Sequence, residues 1–132
     1  MSPWTKIGIG AVVVVAAVLA AGAASAQAVT YTEAQATQGA AAFATNCSAC
    51  HGDKGQGAEG AALIGGQFDA WRGGPAADYY TYMATLMPQA KPGSLPKDTY
   101  TVIFAHILKL NGVPAGATAL ATPPPAGAVI PK

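Results

Sequence analysis

The sequence Cys-Ser-Ala-Cys-His at residues 47–51 constrains this chain more than any other feature. It has the CxxCH spacing at which c-type haem is attached. Residues three apart on a helical turn share a face, so the thiols of Cys47 and Cys50 can bond the vinyl groups of one porphyrin while His51 meets the iron. The motif therefore predicts one covalently held haem and indicates electron transfer.

Cys47 and Cys50 are the only cysteines of the chain, so other uses of the pair need to be weighed. A thioredoxin-like dithiol needs CxxC beside a strand-helix-strand pattern, and no alternating β-branched strand lies on either side of this pair. A structural zinc site normally has four ligands, and His106 is the only plausible fourth. Haem attachment accounts best for the motif, with disulfide and metal sites as the alternatives.

The N-terminal segment predicts export. Lys6 precedes an uncharged run of apolar and small residues, which ends in an Ala-x-Ala cleavage site at residues 24–26. We expect a signal peptide at residues 1–26 and a periplasmic or otherwise exported protein, because thioether attachment of haem takes place outside the cytoplasm. The alternative is an uncleaved membrane anchor, since the uncharged stretch 7–32 is long enough to span a bilayer.

Residues 27–132 suffice for one domain but not for a large core of side chains alone, and a buried porphyrin would add apolar volume. Lys6 is the only charged residue of the predicted signal peptide. Residues 27–132 therefore contain equal numbers of acidic and basic residues and are formally neutral. Its cations form no run, which excludes nucleic acid as a partner. Neutrality also argues against strong electrostatic steering, so a redox partner would bind mainly through an apolar patch.

The first predicted helix begins at an N-cap, either Thr30 or Thr32, because each has a Glu or Gln three residues later. Ala-rich sequence continues it to Ala44. Gly39 and Phe43 lie four apart on one face, where glycine permits close approach of another helix and phenylalanine fills the adjoining space.

A second helix is predicted over residues 79–86, with Asp78 as its N-cap and Pro88 beyond its end, which leaves Met87 at a chain reversal. The last helix has Pro96 in its first turn and stops at residues 111–112, Asn-Gly. Its apolar stripe comprises Tyr100, Ile103, Ile107 and Leu110, widened by Phe104 and Leu108.

Two segments lack a helical pattern. Residues 52–66 are rich in glycine and predict a loop whose backbone passes close to a flat haem. Residues 113–132 are rich in Ala, Pro and Gly, which excludes regular helix or central strand. This C-terminal extension either wraps over the domain through Leu120, Val129 and Ile130 or stays flexible.

Taken in order, these features resemble a class I monohaem cytochrome c. The resemblance rests on the helix with Gly39 and Phe43, CSACHG at 47–52, Leu63-x-Gly65, Met87-Pro88, Pro-Gly-Ser-Leu at 92–95, and AHILKLNG at 105–112. It covers nearly the whole of residues 27–132 and makes 27–112 the cytochrome domain. It implies an all-α fold in which several helices wrap one haem c and the first and last helices cross. It also implies His51 and Met87 as the axial ligands of the iron.

A methionine ligand also has a physical basis, because thioether sulfur favours ferrous iron and raises the reduction potential relative to a second imidazole. Met83 is the competitor of Met87, but it lacks the adjacent proline that would fix a loop. His106 stands where the family commonly has an aromatic residue, often Tyr, packed against the first helix. We expect the same contact here, with one hydrogen bond, and bis-histidine ligation as the alternative.

Four further residues are candidates for the haem pocket: Leu63, Trp71, Arg72 and Pro88. The family often binds a haem propionate through residues between its Leu-x-Gly and Met-Pro segments, which suggests Trp71 and Arg72. Plain packing and a solvated charge are the alternatives for these two. The tyrosines at 79, 80 and 82 are expected to be walls of the pocket rather than redox relays.

The sequence thus predicts a monohaem cytochrome c that passes single electrons between a dehydrogenase or upstream cytochrome and a downstream carrier or oxidase. It is expected not to be an enzyme, because no nucleophile with its base and no acid/base carboxylate pair is visible. One alternative is a cytochrome subunit of a periplasmic dehydrogenase complex, suggested by a loose likeness of residues 112–120 to the end of such domains. The other is a haem enzyme or gas sensor whose iron is not bound by Met87.

Overall fold

The computed structural model describes residues 25–132, so nearly all of the predicted signal peptide, and the start of the possible membrane anchor, lie outside the described residues. The described part contains five helices and two short strands. In chain order these are β1 (Gln27–Ala28), α1 (Glu33–Asn46), α2 (Ser48–His51), α3 (Gly66–Asp69), α4 (Ala76–Leu86), α5 (Lys97–Leu110) and β2 (Ala128–Val129). Helix dominates, in agreement with the all-α prediction. From residue 25 onward, no helix is long and apolar enough to cross a membrane.

Helix α1 begins at a capping box. The Thr32 hydroxyl accepts a hydrogen bond from the Gln35 backbone N–H, and the Gln35 side chain accepts one from the Thr32 N–H. Two of the N–H groups that a helix start leaves without intrahelical partners are satisfied in this way. Of the two predicted caps, Thr32 is therefore the one used, and the helix runs two residues beyond Ala44.

Helices α1 and α5 cross at Gly39, as the sequence predicted. A Cβ atom at this position would lie 1.8 Å from the carbonyl oxygen of Val102, which belongs to the α5 backbone. Only a residue without a side chain allows the two helices to come so close. One turn along α1, Phe43 is buried and its ring lies 5.2 Å from that of His106, centroid to centroid.

His106 makes the predicted interhelix contact, but within residues 25–132 its buried Nδ1 atom has no hydrogen-bond partner, so the expected hydrogen bond is not made at this atom. Burial lowers the pKa of the imidazole below its ordinary value of 6.5, and the nearby Lys109 charge lowers it further. Lys109 itself pairs with Glu33 at the start of α1. The imidazole is therefore held neutral between the two helices.

We expect the protein to lose stability below pH 6.5 because of His106. The unfolded chain takes up a proton at the ordinary pKa, whereas the folded protein resists protonation, so the free energy of unfolding falls as the pH drops through this range. In His106→Phe, the aromatic contact remains and this loss is absent. Urea unfolding of both proteins above and below pH 6.5 measures the difference, and parallel pH profiles would contradict the assignment.

Helix α4 begins earlier than predicted. Its first residue is Ala76 and its N-cap is Pro75, so Asp78 lies in the first turn and the predicted Asp78 cap is wrong. Pro75 has a φ of −62°, which suits a helix start, and its carbonyl accepts the Asp78 N–H. The Asp78 carboxylate still lies near the positive end of the helix dipole. The helix ends at Leu86, as predicted, and Met87 is extended.

Helix α5 runs from Lys97 to Leu110, with Pro96 as its N-cap rather than inside its first turn. Asn111 is its C-cap, and Gly112 has a φ of +75°, the left-handed conformation that glycine favours. Most of the predicted apolar stripe is buried, as are the residues that widen it. The buried members are Tyr100, Ile103, Phe104, Ile107 and Leu108.

The C-terminal extension wraps over the domain, which is the first of the two predicted alternatives. Its side chains join the common core at Val113, Leu120, Ala128 and Ile130. Strand β2 pairs in parallel with β1, and the backbone of Ile130 exchanges hydrogen bonds with Gly73 and Gly74. Val129 is only partly buried. The two ends of the described chain therefore meet beside the turn that follows α3.

Removing the Ile130 side chain is expected to destabilise the whole domain, because this residue is fully buried although it lies only two positions before Lys132, the last residue of the sequence. Ile130→Ala should lower the free energy of unfolding by about 2–5 kcal/mol, the usual cost of such a change in a core. Urea unfolding measures it. Thr118→Ala, at an exposed position of the same extension, is the control and should change little. Equal stability of the two variants would mean that the extension is not part of the cooperative fold.

Candidate haem site

A cavity of about 860 Å³ is bounded by the CxxCH turn, the glycine-rich loop, α3, α4 and α5. Its volume lies in the range of cofactor pockets, about 300–1,000 Å³. Seven of the eight residues predicted from the sequence to form the site line it: Cys47, Cys50, His51, Leu63, Trp71, Met87 and Pro88. The eighth, Arg72, is not among the lining residues.

His51 has the orientation of a metal ligand. Its Nδ1 atom lies 2.6 Å from the carbonyl oxygen of Ala61. Because a carbonyl can only accept, Nδ1 must carry the proton, and the lone pair of a neutral imidazole is then on Nε2. A backbone carbonyl that fixes the tautomer in this way is a common partner of metal-binding histidines.

The two thiols lie on one helical turn, as the motif predicted, with Cys50 in the short helix α2 and Cys47 just before it. Cys47 is its N-cap, and the N–H groups of Cys50 and His51 donate to the Cys47 carbonyl. Burial, and then the neighbouring Cys50, raise the pKa of the Cys47 thiol to about 11. Reactive dithiols instead have a lowered pKa, so the thioredoxin-like alternative is disfavoured.

The described residues do not provide the ligands that a zinc site needs. Within residues 25–132, no group of three or more His, Cys, Asp or Glu side chains is placed to hold a metal ion. His106, the predicted fourth ligand, packs on Phe43 at the helix crossing and does not line the cavity. The same position offers no support for bis-histidine ligation.

The glycine-rich loop folds back onto the CxxCH turn. The N–H groups of Gly57 and Gly60 donate to the carbonyls of His51 and Cys50. A Cβ atom on Gly60 would lie 3.1 Å from the Cys50 carbonyl oxygen and 3.3 Å from Cε1 of His51. A side chain at this point would therefore be a tight fit against the turn, and the loop forms one wall of the cavity there.

Leu63 is held at the cavity by the backbone around it. Its N–H donates to the carbonyl of Gly55, and its own carbonyl accepts a hydrogen bond from the Asn111 side chain. The residue that ends α5 therefore also fixes this apolar wall.

Met87 follows α4 directly and reaches the cavity from an extended backbone. Its carbonyl accepts hydrogen bonds from the N–H of Gly93 and, at 2.6 Å, from the hydroxyl of Tyr100. Met83 also lines the cavity and is 7% exposed. Both methionines are thus beside the site, and the choice of Met87 as ligand stays a prediction. No sequence pattern indicates a role for the Tyr100 hydroxyl, because the apolar stripe of α5 predicts only the packing of the ring.

Aromatic rings form another wall. Trp71 contacts Tyr79 and Tyr82 at centroid distances of 5.1 and 5.4 Å, and Tyr79 stacks on Phe104 at 5.0 Å. Burial is the main cause that raises the pKa of Tyr79, so its hydroxyl stays protonated. Tyr79 and Tyr82 line the cavity, whereas Tyr80 lies elsewhere and donates to the Lys97 carbonyl.

Arg72 joins three segments outside the cavity. Its guanidinium pairs with Asp69 at 2.7 Å, donates to the carbonyls of Pro131 and Asn111, and lies over the ring of Phe68. Among the lining residues that the structure describes, Glu59 is the one charged side chain and no Lys or Arg is present. Neutral groups such as Trp71 are therefore the donors available to a carboxylate in this cavity.

The cavity fits a haem, with a thiol pair, an oriented imidazole, thioethers and aromatic walls. A helical domain with these groups around one pocket defines a haem-binding protein. Comparison with known families agrees: the family described as cytochrome c oxidase, cbb3-type, subunit III matches residues 34–107, which is more than half of the chain. The chain belongs to this family of class I c-type cytochromes and is an electron-transfer haem protein. No curated protein and no solved structure matches it.

Proposed function

We propose that this protein is an exported monohaem cytochrome c that carries single electrons between redox proteins, with His51 and Met87 as the iron ligands. The observation that carries the proposal is the CxxCH turn. His51 lines the same cavity as Cys47, Cys50 and Met87, and its Nδ1 atom donates a hydrogen bond to the Ala61 carbonyl. The export part rests on the N-terminal sequence, with its uncharged run and Ala-x-Ala site.

The haem, when bound, supplies the one-electron chemistry of its iron. The chain's own residues orient the iron ligand and favour one oxidation state of the iron. The Ala61 carbonyl holds the imidazole of His51 in one orientation, and the thioether of Met87, as a ligand, would stabilise ferrous over ferric iron. The buried rings of Phe68 and Tyr79 keep water from the apolar walls, which further favours the less charged oxidation state.

Covalent attachment is tested by intact mass under denaturing conditions, after production in a host that matures c-type cytochromes. We expect the polypeptide mass plus one haem, and a reversible one-electron titration of the absorption spectrum. Cys47→Ala/Cys50→Ala should lose the haem to acidic organic solvent. Ser48→Ala, a change at another residue of the same turn, is the control and should retain it. Haem that stays bound in the double variant would overturn thioether attachment.

Export is tested on the same preparation. The proposal predicts a mature protein that begins at Gln27, found in the periplasmic fraction, and the intact mass distinguishes it from a chain that retains residues 1–26. A retained segment in the membrane fraction would support the anchored form instead.

A second candidate is a cytochrome subunit of a larger oxidoreductase complex. The family's description as an oxidase subunit favours it. The apolar extension that first suggested a complex gives less support, because Leu120 is buried in the protein's own core and its backbone bonds to Gln35. Size determination of the native protein from its source distinguishes the two: a free carrier is monomeric, whereas a subunit elutes with a larger partner.

A further inference from the structure

The hydroxyl of Tyr100 connects the two ends of the segment that contains Met87. It donates a hydrogen bond to the Met87 carbonyl at 2.6 Å and accepts one from the Leu95 N–H at 3.3 Å. Tyr100 is 3% exposed and lies in the first half of α5. One buried side chain of a core helix thus holds both the start and the end of the segment 87–95.

The other hydrogen bonds of this segment are mostly internal. The Gly93 N–H donates to the Met87 carbonyl and the Lys91 N–H to the Pro88 carbonyl, at 3.2 and 2.9 Å. These bonds fold the segment upon itself but do not connect it to α5. Tyr100 does connect it, and α5 is firmly placed, because Ile103 and Phe104 on its next turn are buried in the core.

We propose that Tyr100 is a positioning residue that keeps the Met87 sulfur bound to iron, an inference that rests on the ligand pair in the proposed function. An incoming ligand that replaces methionine would displace the segment 87–95 from the cavity. That movement separates the Met87 carbonyl and the Leu95 N–H from the Tyr100 hydroxyl. The hydroxyl therefore stabilises the closed segment selectively over the displaced one, which raises the barrier to ligand replacement and the affinity of iron for its own sulfur.

The test is a titration of the ferric holoprotein with imidazole, followed through the weak far-red charge-transfer band that accompanies methionine sulfur on ferric iron. In Tyr100→Phe the ring and its packing remain and the hydroxyl is lost. We expect imidazole to bind about tenfold more tightly, a change equal to about 1.4 kcal/mol. The band itself should still be present before imidazole is added.

Tyr80→Phe is the matched control. Tyr80 is 5% exposed, and its hydroxyl also donates to a backbone carbonyl, that of Lys97 at 3.0 Å. The variant loses a buried tyrosine hydrogen bond of the same kind but leaves both bonds of Tyr100 in place. We expect its imidazole affinity to stay within about twofold of the wild type, although urea unfolding should show a similar loss of stability in both variants.

The possible results distinguish a failure of the role of Tyr100 from a failure of methionine ligation. Unchanged imidazole affinity in Tyr100→Phe, or an equal increase in both variants, overturns the role of Tyr100 while leaving Met87 as the ligand. A wild-type protein without the far-red band overturns methionine ligation, and the role of Tyr100 with it.

Discussion

Alanine in place of Gly39 is expected to lower the free energy of unfolding by about 3 kcal/mol or more, because it overpacks the contact between α1 and α5. The new Cβ atom would lie 1.8 Å from the Val102 carbonyl oxygen and 2.9 Å from the Cβ of His106. The first of these is a backbone atom of a helix, so it cannot rotate away, and the helices must separate. Urea unfolding of the holoprotein measures the effect.

Gly66→Ala is the control for this prediction. Gly66 is the first residue of α3, and a Cβ atom there would meet nothing within 4 Å. The same chemical change should therefore be neutral or add about 0.4–1 kcal/mol, because alanine restricts the unfolded chain. Similar losses in the two variants would contradict the account of the helix crossing.

The second large effect is expected at the iron. Met87→Ala should lower the reduction potential by on the order of 0.1 V or more, within the roughly 0.8 V over which axial ligands move haem potentials. The reason is the loss of thioether sulfur, which stabilises ferrous iron relative to ferric. A spectroscopic redox titration of wild type and variant measures the shift.

Met83→Leu provides the comparison, because Met83 lines the same cavity and leucine nearly conserves its volume. Its potential should stay close to that of the wild type. A large drop in Met83→Leu together with a small one in Met87→Ala would assign the ligand to Met83 instead.

Local patterns sufficed for much of this fold. The Thr32 cap and the helical CxxCH turn each depend on residues within a few positions of one another, and both are present. The stop of α5 at Asn111 and Gly112 belongs to the same group. Such signals are readable because the physical interaction and the sequence spacing coincide.

The remaining features depend on contacts between distant positions. Arg72 bonds to carbonyls 39 and 59 residues away, and its neighbours in sequence give no indication of either. The packing of the extension depends on where Gly73 and Gly74 lie in space. Composition alone left wrapping and flexibility equally open, because proline-rich sequence is compatible with both.

Two misjudged details have a local cause. Asp78 fits a helix N-cap by residue type, yet Pro75 already has helical φ three residues earlier and the helix begins after it. The apolar stripe includes Tyr100 because its ring is apolar, and this pattern does not predict the hydrogen bond from its hydroxyl to the Met87 carbonyl. A side chain with both an apolar ring and a hydroxyl fits an apolar pattern, so the pattern does not predict the hydrogen bonds of the hydroxyl.

The ferric absorption spectrum of the matured wild-type protein is the decisive measurement of the iron ligands. Ligation by Met87 predicts a weak far-red band from methionine sulfur on iron, absent in Met87→Ala and retained in Met83→Leu. No such band in the wild type would contradict ligation by His51 and Met87, and would direct attention to the alternative of an open, reactive iron.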